Sequence, residues 1–119
     1  MATLAEMVER VVVKRDGYTL TCEDGYFGWI DNNDGIGNGF GCTDADASNA
    51  VLAELLRRLP KRGYLINDYD GFRVTISDTN GWDKHIGTGP DPLTALYAAF
   101  ERFPELFAQP AKGGDGGEG

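Results

Sequence analysis

The chain has 119 residues, a formal net charge of -8 at pH 7 and 41% hydrophobic residues. This length suits one domain with a modest core, and the apolar content excludes a chain that is disordered throughout. The negative charge argues against direct nucleic-acid binding, because lysine and arginine contacts to phosphate supply most of that affinity. No stretch approaches the roughly 18 apolar residues of a membrane span, and the N-terminus lacks a signal-peptide pattern. We therefore expect a cytoplasmic protein with no membrane partner.

The acidic residues are concentrated in one part of the sequence. From Asp16 up to Arg57 the chain contains eight acids and no lysine or arginine. One interpretation is a solvated acidic face that keeps the protein soluble. The other is a surface complementary to a basic partner protein. Both interpretations disfavour a nucleotide ligand, because phosphate is also negative.

The N-terminal part predicts a short helix and a hairpin. Thr3 to Glu6 has the form of a capping box, and apolar residues at helical spacing predict a helix over about 4–10. The β-branched run from Val11 to Val13 favours a strand. A second strand, Tyr18 to Cys22, follows across an Asp16-Gly17 turn.

Residues 23–42 are rich in glycine, aspartate and asparagine. One strand is predicted at about 26–30, and the remainder is predicted to be loop. The stretch GIGNGFG at 35–41 suggests a phosphate-binding loop before a helix N-terminus. It matches neither the P-loop, since no lysine follows, nor GxGxxG, since Phe40 stands where the third glycine would be. A shaped acidic surface loop is the preferred interpretation.

The residues that could bind metal or perform catalysis do not form a recognised set. Asp31 to Gly35 suggests calcium, but an EF-hand loop needs glycine at position 36 and glutamate at 42, where the chain has Ile36 and Cys42. His85 is the single histidine, with no marked nucleophile beside it. Cys22 is expected to be a thiol, as is Cys42. We predict no enzyme activity, no metal and no cofactor.

The C-terminal half gives clearer signals. Thr43 caps a predicted helix that ends before Pro60, with an apolar stripe at Val51, Leu52, Leu55, Leu56 and Leu59. Strands at 64–69 and 72–77 flank an Asp70-Gly71 turn of predicted type I′. A third strand is predicted at 82–87. Asp91 caps the last helix, with Pro92 at its first position.

These elements predict an α+β fold. Residues 43–103 form an α-β-β-β-α layered sandwich, in which two amphipathic helices flank an antiparallel sheet of three or more strands, because each apolar stripe needs a surface to cover. Residues 1–42 add the N-terminal short helix, the hairpin and the Gly/Asp-rich loop. We expect one domain over 1–110 and a disordered glycine-rich tail at 111–119.

Four pieces of this half resemble the phage ABA-sandwich family, small domains found mostly in bacteriophage genomes. They are the helix that opens at Thr43, the KRGYLIN stretch before the first strand, the strand from Phe72 to Ser77, and GTGPDPLTALYAAF from Gly87 to Phe100. The resemblance covers roughly residues 43–103 and leaves 1–42 without a counterpart. It implies a phage or prophage accessory protein, with inhibition of a host defence system as an extension. It implies no catalytic residues.

The sequence thus predicts a non-enzymatic protein that binds a basic host or phage protein through the acidic, aromatic region. The residues expected to contact this partner are Tyr26, Trp29, Asp31, Asp34, Phe40, Asp44 and Asp46. One alternative is a small-ligand or nucleotide module that uses the glycine loop and the helix start at 35–46. Another is a structural or assembly component that forms homo-oligomers through an exposed sheet edge.

Overall fold

The computed structural model describes residues 3–31, 39–78 and 80–108. The helices are α1 (Leu4–Val11), α2 (Asp44–Arg58), α3 (Pro92–Arg102) and a 3-10 helix (Pro104–Leu106). The strands are β1 (Lys14–Arg15), β2 (Tyr18–Glu23), β3 (Tyr26–Asp31), β4 (Gly39–Cys42), β5 (Gly63–Asp68), β6 (Gly71–Ser77) and β7 (Asp83–Gly89). They form a four-stranded sheet, β1-β2-β3-β4, and a three-stranded sheet, β5-β6-β7, both antiparallel. The predicted α+β class is confirmed.

The described residues fall into two compact units. The first unit extends to Val51 and holds α1, the four-stranded sheet and the start of α2. The second begins at Leu52 and holds the end of α2, the three-stranded sheet and α3. A single domain over 1–110 stays a prediction. Within the described part of the chain, no helix has both the length and the apolar character needed to span a membrane.

Helix α1 begins and ends on local signals. Thr3 Oγ1 accepts the Glu6 N–H at 3.2 Å, and Glu6 Oε1 accepts the Thr3 N–H at 2.9 Å, so the predicted capping box is present. The predicted strand over Val11 to Val13 is wrong. Val11 is the last helical residue and is fully buried, and Val12 ends the helix in a left-handed conformation with φ 57°. Burial of Val11 on the apolar side of the helix outweighs its β-propensity.

The four-stranded sheet is larger than the predicted hairpin. Strands β1 and β2 pair across Asp16-Gly17, whose φ values of 53° and 84° give the left-handed turn that this dipeptide predicts. A second turn of the same kind, Asp24-Gly25, joins β2 to β3. Strand β4 lies inside the region predicted to be loop. Its glycines weaken the sequence signal for a strand, but its backbone pairs with β3 from Phe27 to Ile30.

The buried side of α2 differs from the predicted leucine stripe. Thr43 Oγ1 accepts the Asp46 N–H at 3.1 Å, which caps the helix as predicted. Leu56 of the predicted stripe is 45% exposed. The buried residues recur at helical spacing and include a charged pair: Ala47, Ala50, Val51, Glu54, Leu55 and Arg58.

The three-stranded sheet confirms the predicted hairpin but not its turn type. Strands β5 and β6 pair from Gly63↔Ile76 to Asp68↔Gly71, so the two-residue loop is Tyr69-Asp70, one residue earlier than predicted. Neither loop residue has a positive φ, which type I′ requires at both positions, whereas Gly71 has φ 127°. Strand β7 pairs with β6 and carries a bulge opposite Val74 and Thr75.

Helix α3 packs on β6 and β7. Asp91 Oδ1 accepts the Thr94 N–H at 2.8 Å, and Pro92 is the first helical residue, as predicted. A Cβ on Gly87 of the sheet would lie 2.6 Å from the Ala95 carbonyl oxygen and 2.8 Å from the Ala99 Cβ, so helix and strand approach closely. The core of this unit therefore lies between α3 and the inner face of the three-stranded sheet.

Candidate functional site

The predicted partner-binding residues do not form one surface, because strand register divides them between two faces of the four-stranded sheet. Directly paired residues of an antiparallel sheet lie on the same face. One face carries three strand glycines, and we call it the glycine face: Thr21, Glu23, Tyr26, Gly28, Ile30, Gly39 and Gly41. The other, which we call the aromatic face, carries Tyr18, Leu20, Phe27, Trp29, Asp31 and Phe40. Tyr26 is thus separated from Trp29, Asp31 and Phe40.

The aromatic face is mostly covered. Trp29 is 8% exposed, and the Arg15 guanidinium lies 5.2 Å from the centre of its ring. Phe27 is also 8% exposed. Phe40 is 57% exposed and meets Tyr18 edge to face, with ring centres 5.2 Å apart. Burial makes Trp29 an anchor of the sheet, while Phe40 retains an accessible ring.

The acids of the predicted site lie at several places. Asp31 ends β3 on the aromatic face, opposite Tyr18. Asp44 and Asp46 are exposed in the first turn of α2. Partial burial, followed by the negative charges of Asp46 and Asp44, raises the pKa of the nearby Cys42 thiol. Cys42 and Cys22 are both free thiols, as predicted.

Part of the predicted region lies outside the described residues. This part is 32–38, which contains Asp34 and the first half of GIGNGFG. The second half, Gly39 to Gly41, belongs to strand β4. Within the described ranges no group of three or more histidine, cysteine or acidic side chains could hold a metal ion.

The glycine face forms a shallow groove of about 540 Å³. Its floor is backbone, because Gly28 pairs with Gly41 and Gly39 pairs with Ile30. Side chains at its margin include Thr21, Glu23, Asp24, Tyr26 and Ile30. The groove is therefore a flat strip of peptide groups bordered by one aromatic ring, two carboxylates, one hydroxyl group and one aliphatic side chain.

Tyr26 is held at the margin by the turn before it. Asp24 and Gly25 adopt left-handed conformations with φ 51° and 82°, and this turn pairs Glu23 with Tyr26. The Tyr26 side chain is 80% exposed, and Glu23 and Asp24 are also exposed. Two carboxylates and an accessible ring thus lie at one end of the groove.

The three strand glycines differ in the space around them. A Cβ on Gly39 would lie 2.5 Å from Trp29 O, and one on Gly28 would lie 3.0 Å from Phe40 O. A Cβ on Gly41 would lie 3.7 Å from Phe27 O, which is ordinary contact. Sheet geometry therefore requires glycine at 39 and favours it at 28, whereas position 41 has room for a side chain and carries none.

A second polar cluster, which we did not predict, lies on strands β6 and β7 of the three-stranded sheet. Ser77 Oγ donates to Asp83 Oδ1 at 2.6 Å, and Thr75 Oγ1 lies 3.0 Å from His85 Nδ1. Hydrogen bonds from Ser77 and then Tyr64, with the His85 charge, lower the pKa of Asp83. The cluster could have been predicted from the hairpin across Asn80-Gly81, because its register pairs Ser77 with Asp83 and Thr75 with His85.

This cluster lacks the arrangement of a nucleophile and its base. Thr75, which faces the imidazole of His85, is fully buried and has no access to a substrate. The Ser77 hydroxyl donates its hydrogen bond to the Asp83 carboxylate, so its partner is an aspartate and not the imidazole of His85. A serine activated by histidine needs the imidazole within hydrogen-bond reach of its oxygen. The geometry here serves to tie β6 to β7.

Comparisons of this chain with models of protein families, with curated proteins and with solved structures give no match. The resemblance to the phage ABA-sandwich family stays a prediction.

Proposed function

We propose that the chain is a non-enzymatic protein that binds a basic segment of a partner protein on the glycine face. The observation that carries this proposal is the bare position at Gly41, where a Cβ would meet Phe27 O at an ordinary 3.7 Å. Glycine weakens a strand because it has no side chain to pack and more backbone freedom to lose. Because the sheet has room for a side chain at position 41, packing does not explain the glycine. An open groove that a side chain would fill is a sufficient reason for it.

The groove favours an arginine side chain of the partner. A guanidinium is planar, so it can lie flat on the peptide groups between Gly28 and Gly41 and stack against the Tyr26 ring. Glu23 and Asp24 would accept its hydrogen bonds at the margin. Lysine offers the charge without the plane, so we expect weaker binding of lysine-rich partners.

Charge around the groove supports the same partner class. The sequence from Gly17 to Leu56 has no lysine or arginine, so the strands that form the floor bring no positive side chain to the groove. A basic segment would be attracted by this field over about 10 Å at moderate salt. A role in the cytoplasm as a phage accessory protein, with inhibition of a host defence, stays a prediction.

The small-ligand alternative draws less support from the described residues. Gly39 and Gly41 belong to a paired strand, so their backbone takes part in a sheet. At the start of α2, Thr43 Oγ1 already accepts the Asp46 N–H at 3.1 Å, and Asp44 adds a second negative charge. An anion at this helix start would meet two carboxylates. A flat thermal-shift profile against a nucleotide panel is the expected result.

Binding of a fluorescent nona-arginine peptide, measured by anisotropy, tests the proposal. Tyr26→Ala should weaken binding about tenfold, because exposed aromatic anchors often carry most of an interface's affinity. Tyr69→Ala is the matched control, since Tyr69 is fully exposed in the other unit. Equal affinity of both variants would contradict a role for Tyr26.

Charge is tested with two double variants of the same net charge. Glu23→Gln with Asp24→Asn should reduce the affinity and flatten its salt dependence, because both carboxylates lie at the groove. Asp70→Asn with Glu105→Gln removes two exposed acids of the other unit and should change little. Similar losses in the two double variants would show attraction by net charge alone and would sink the proposed site.

A further inference from the structure

Strand β2 has an open edge that the glycine-face proposal does not use. Strand β3 pairs with all of β2, from Tyr18 to Glu23, whereas β1 pairs with β2 at Tyr18 and Thr19 alone. Leu20 N–H still donates to Val13 O at 2.9 Å. Beyond Leu20, no described strand lies on this side of β2.

Backbone alternation identifies the groups at this edge. The N–H groups of a strand point alternately to its two neighbours. Because the Leu20 N–H points to the β1 side, the N–H and C=O of Cys22 point to that side too. These two groups of Cys22 therefore point away from β3, in which Phe27 is the residue opposite Cys22. Such edge groups can template the addition of another strand.

A groove of about 420 Å³ runs between this edge and α1. Helix α1 packs on β2 and supplies one wall, which includes Ala5, Val8 and Glu9. The other wall consists of four consecutive residues of β2, Thr19 to Cys22. The side chains of consecutive strand residues point to opposite faces of the sheet. A groove lined by four consecutive residues therefore follows the edge of the strand and does not lie on one face.

We infer that an extended segment of a partner protein adds to this edge as a further strand, opposite Cys22 and alongside α1. The segment would be basic with interspersed aliphatic residues. Its aliphatic side chains would meet Ala5 and Val12, and its cations would meet the carboxylates of Glu6 and Glu9, which also line the groove. Backbone bonds to the edge supply affinity, and the side chains supply selectivity.

A capped hexapeptide of alternating lysine and valine is the probe, and the isotopically labelled full chain is the target. We expect amide chemical-shift changes in α1 and β2, and amide exchange at Cys22 slowed at least about fivefold at saturation, because the N–H gains a partner. Changes confined to other elements, or unaltered exchange at Cys22, would overturn the inference.

Two N-methylated versions of the probe test the strand geometry directly. In an extended peptide the valine N–H groups all lie along one edge and the lysine N–H groups along the other. Methylation of one set of N–H groups should abolish detectable binding, while methylation of the other set should change the affinity less than about twofold. The reason is that only one edge of the peptide forms hydrogen bonds with the sheet. Equal effects of the two methylated peptides would exclude strand addition.

Protein variants give a second, independent test. Cys22→Pro deletes the outward N–H at a position where an edge strand accepts proline, and it should abolish binding, while Cys22→Ser should bind normally. The N-methylated peptides decide the outcome if the proline variant does not fold. Tyr26→Ala and Gly41→Val should leave this binding unchanged, which separates it from the glycine face. A concentration-dependent mass with Cys22 protected in the absence of peptide would assign the edge to a second copy and overturn the inference.

Discussion

Both sheets carry glycines within their strands, yet these glycines have different surroundings. In the three-stranded sheet, a Cβ on Gly87 would lie 2.6 Å from Ala95 O and 2.6 Å from Ala99 N, because α3 packs directly on this strand. In the four-stranded sheet, a Cβ on Gly41 would lie 3.7 Å from Phe27 O. Gly87 therefore permits close packing of a helix, whereas Gly41 leaves peptide groups uncovered.

The difference predicts that glycine serves stability in the second unit and, under the proposed function, recognition in the first. A glycine under a helix is required by sterics, so substitution should change the free energy of unfolding. A glycine beside an open groove is free of that constraint, so substitution should change binding. Glycine substitutions in the two units can thus be distinguished by measurement. Those in the second unit should change the free energy of unfolding, and those in the first should change binding.

The largest effect is expected from Gly87→Ala. The new methyl group would overlap backbone atoms of α3, which can be relieved only by moving the helix, so we expect a loss of about 3 kcal/mol in the free energy of unfolding. Urea denaturation measures it, with Gly41→Ala as control. A loss below about 1 kcal/mol would contradict close packing of α3 on Gly87.

The next largest effect is expected from Glu54→Gln in the second unit. Glu54 Oε2 lies 2.7 Å from Arg58 Nε, and the two side chains are 7% and 2% exposed. Removal of the carboxylate charge should cost about 2 kcal/mol, because hydrogen bonds to buried charged groups are the stronger ones. Arg57→Gln is the control and should cost less than about 1 kcal/mol, since the Arg57 side chain is 51% exposed.

The same pair predicts a pH dependence. Burial acts to raise the pKa of Glu54, but hydrogen bonds from Arg57 and Arg58 outweigh it and lower the pKa below its ordinary 4.5. The stabilisation is therefore fully present above pH 4.5 and is lost as the pH falls through the lower folded-state value. The stability difference between the native chain and Glu54→Gln should narrow in this acid range. A constant difference between pH 7 and pH 3 would contradict it.

Gly41→Val should affect binding and leave folding nearly unchanged. Valine suits a strand and reduces the freedom of the unfolded chain, so we expect a change in stability within about 1 kcal/mol. Its side chain would occupy the groove and reduce nona-arginine affinity at least about tenfold. Unaltered affinity, measured by the same anisotropy assay, would show that the groove is not the binding site.

The smallest effect is expected at Asp83. The hydrogen bond from Ser77 is the largest cause of its lowered pKa, so Ser77→Ala should raise the pKa toward the ordinary 3.8. An NMR titration of the Asp83 carboxyl carbon measures the change. Nona-arginine binding should be unaffected, because this cluster lies on the other sheet.

Much of the fold was predictable because its signals are local. Thr3 with Glu6, Asp16-Gly17 and Asp91-Pro92 each act within a few residues, so sequence spacing alone locates the helix starts and the first turn. The strand β4 was not predictable in this way, since GFGC has low strand propensity and is ordered by pairing with β3. Val11 and Leu56 were misassigned because tertiary burial decided their environment.

Among the described residues that were predicted to contact a partner, Tyr26 alone has its side chain on the glycine face, and Glu23 and Asp24 at the groove were not predicted. Alternation along a strand at about 26–30 places Tyr26 and Trp29 on opposite faces, so the two side chains cannot share one binding surface. The backbone floor could not be inferred, because it depends on the register that pairs Gly28 with Gly41, 13 positions later in the sequence. Exposure of Tyr26 and burial of Trp29 follow from that register.

The different exposure of the two tryptophans makes the fluorescence of the protein a reporter of its first unit. Trp29 in the first unit is 8% exposed beneath the Arg15 guanidinium, and Trp82 in the second is 74% exposed. Asp78 fixes the backbone of the Trp82 turn, where Oδ1 accepts the Trp82 N–H at 2.9 Å. An indole already in water changes its emission little on unfolding, so the red shift of the native chain reports the first unit. Comparison of that shift with far-UV circular dichroism reveals directly whether the two units melt together.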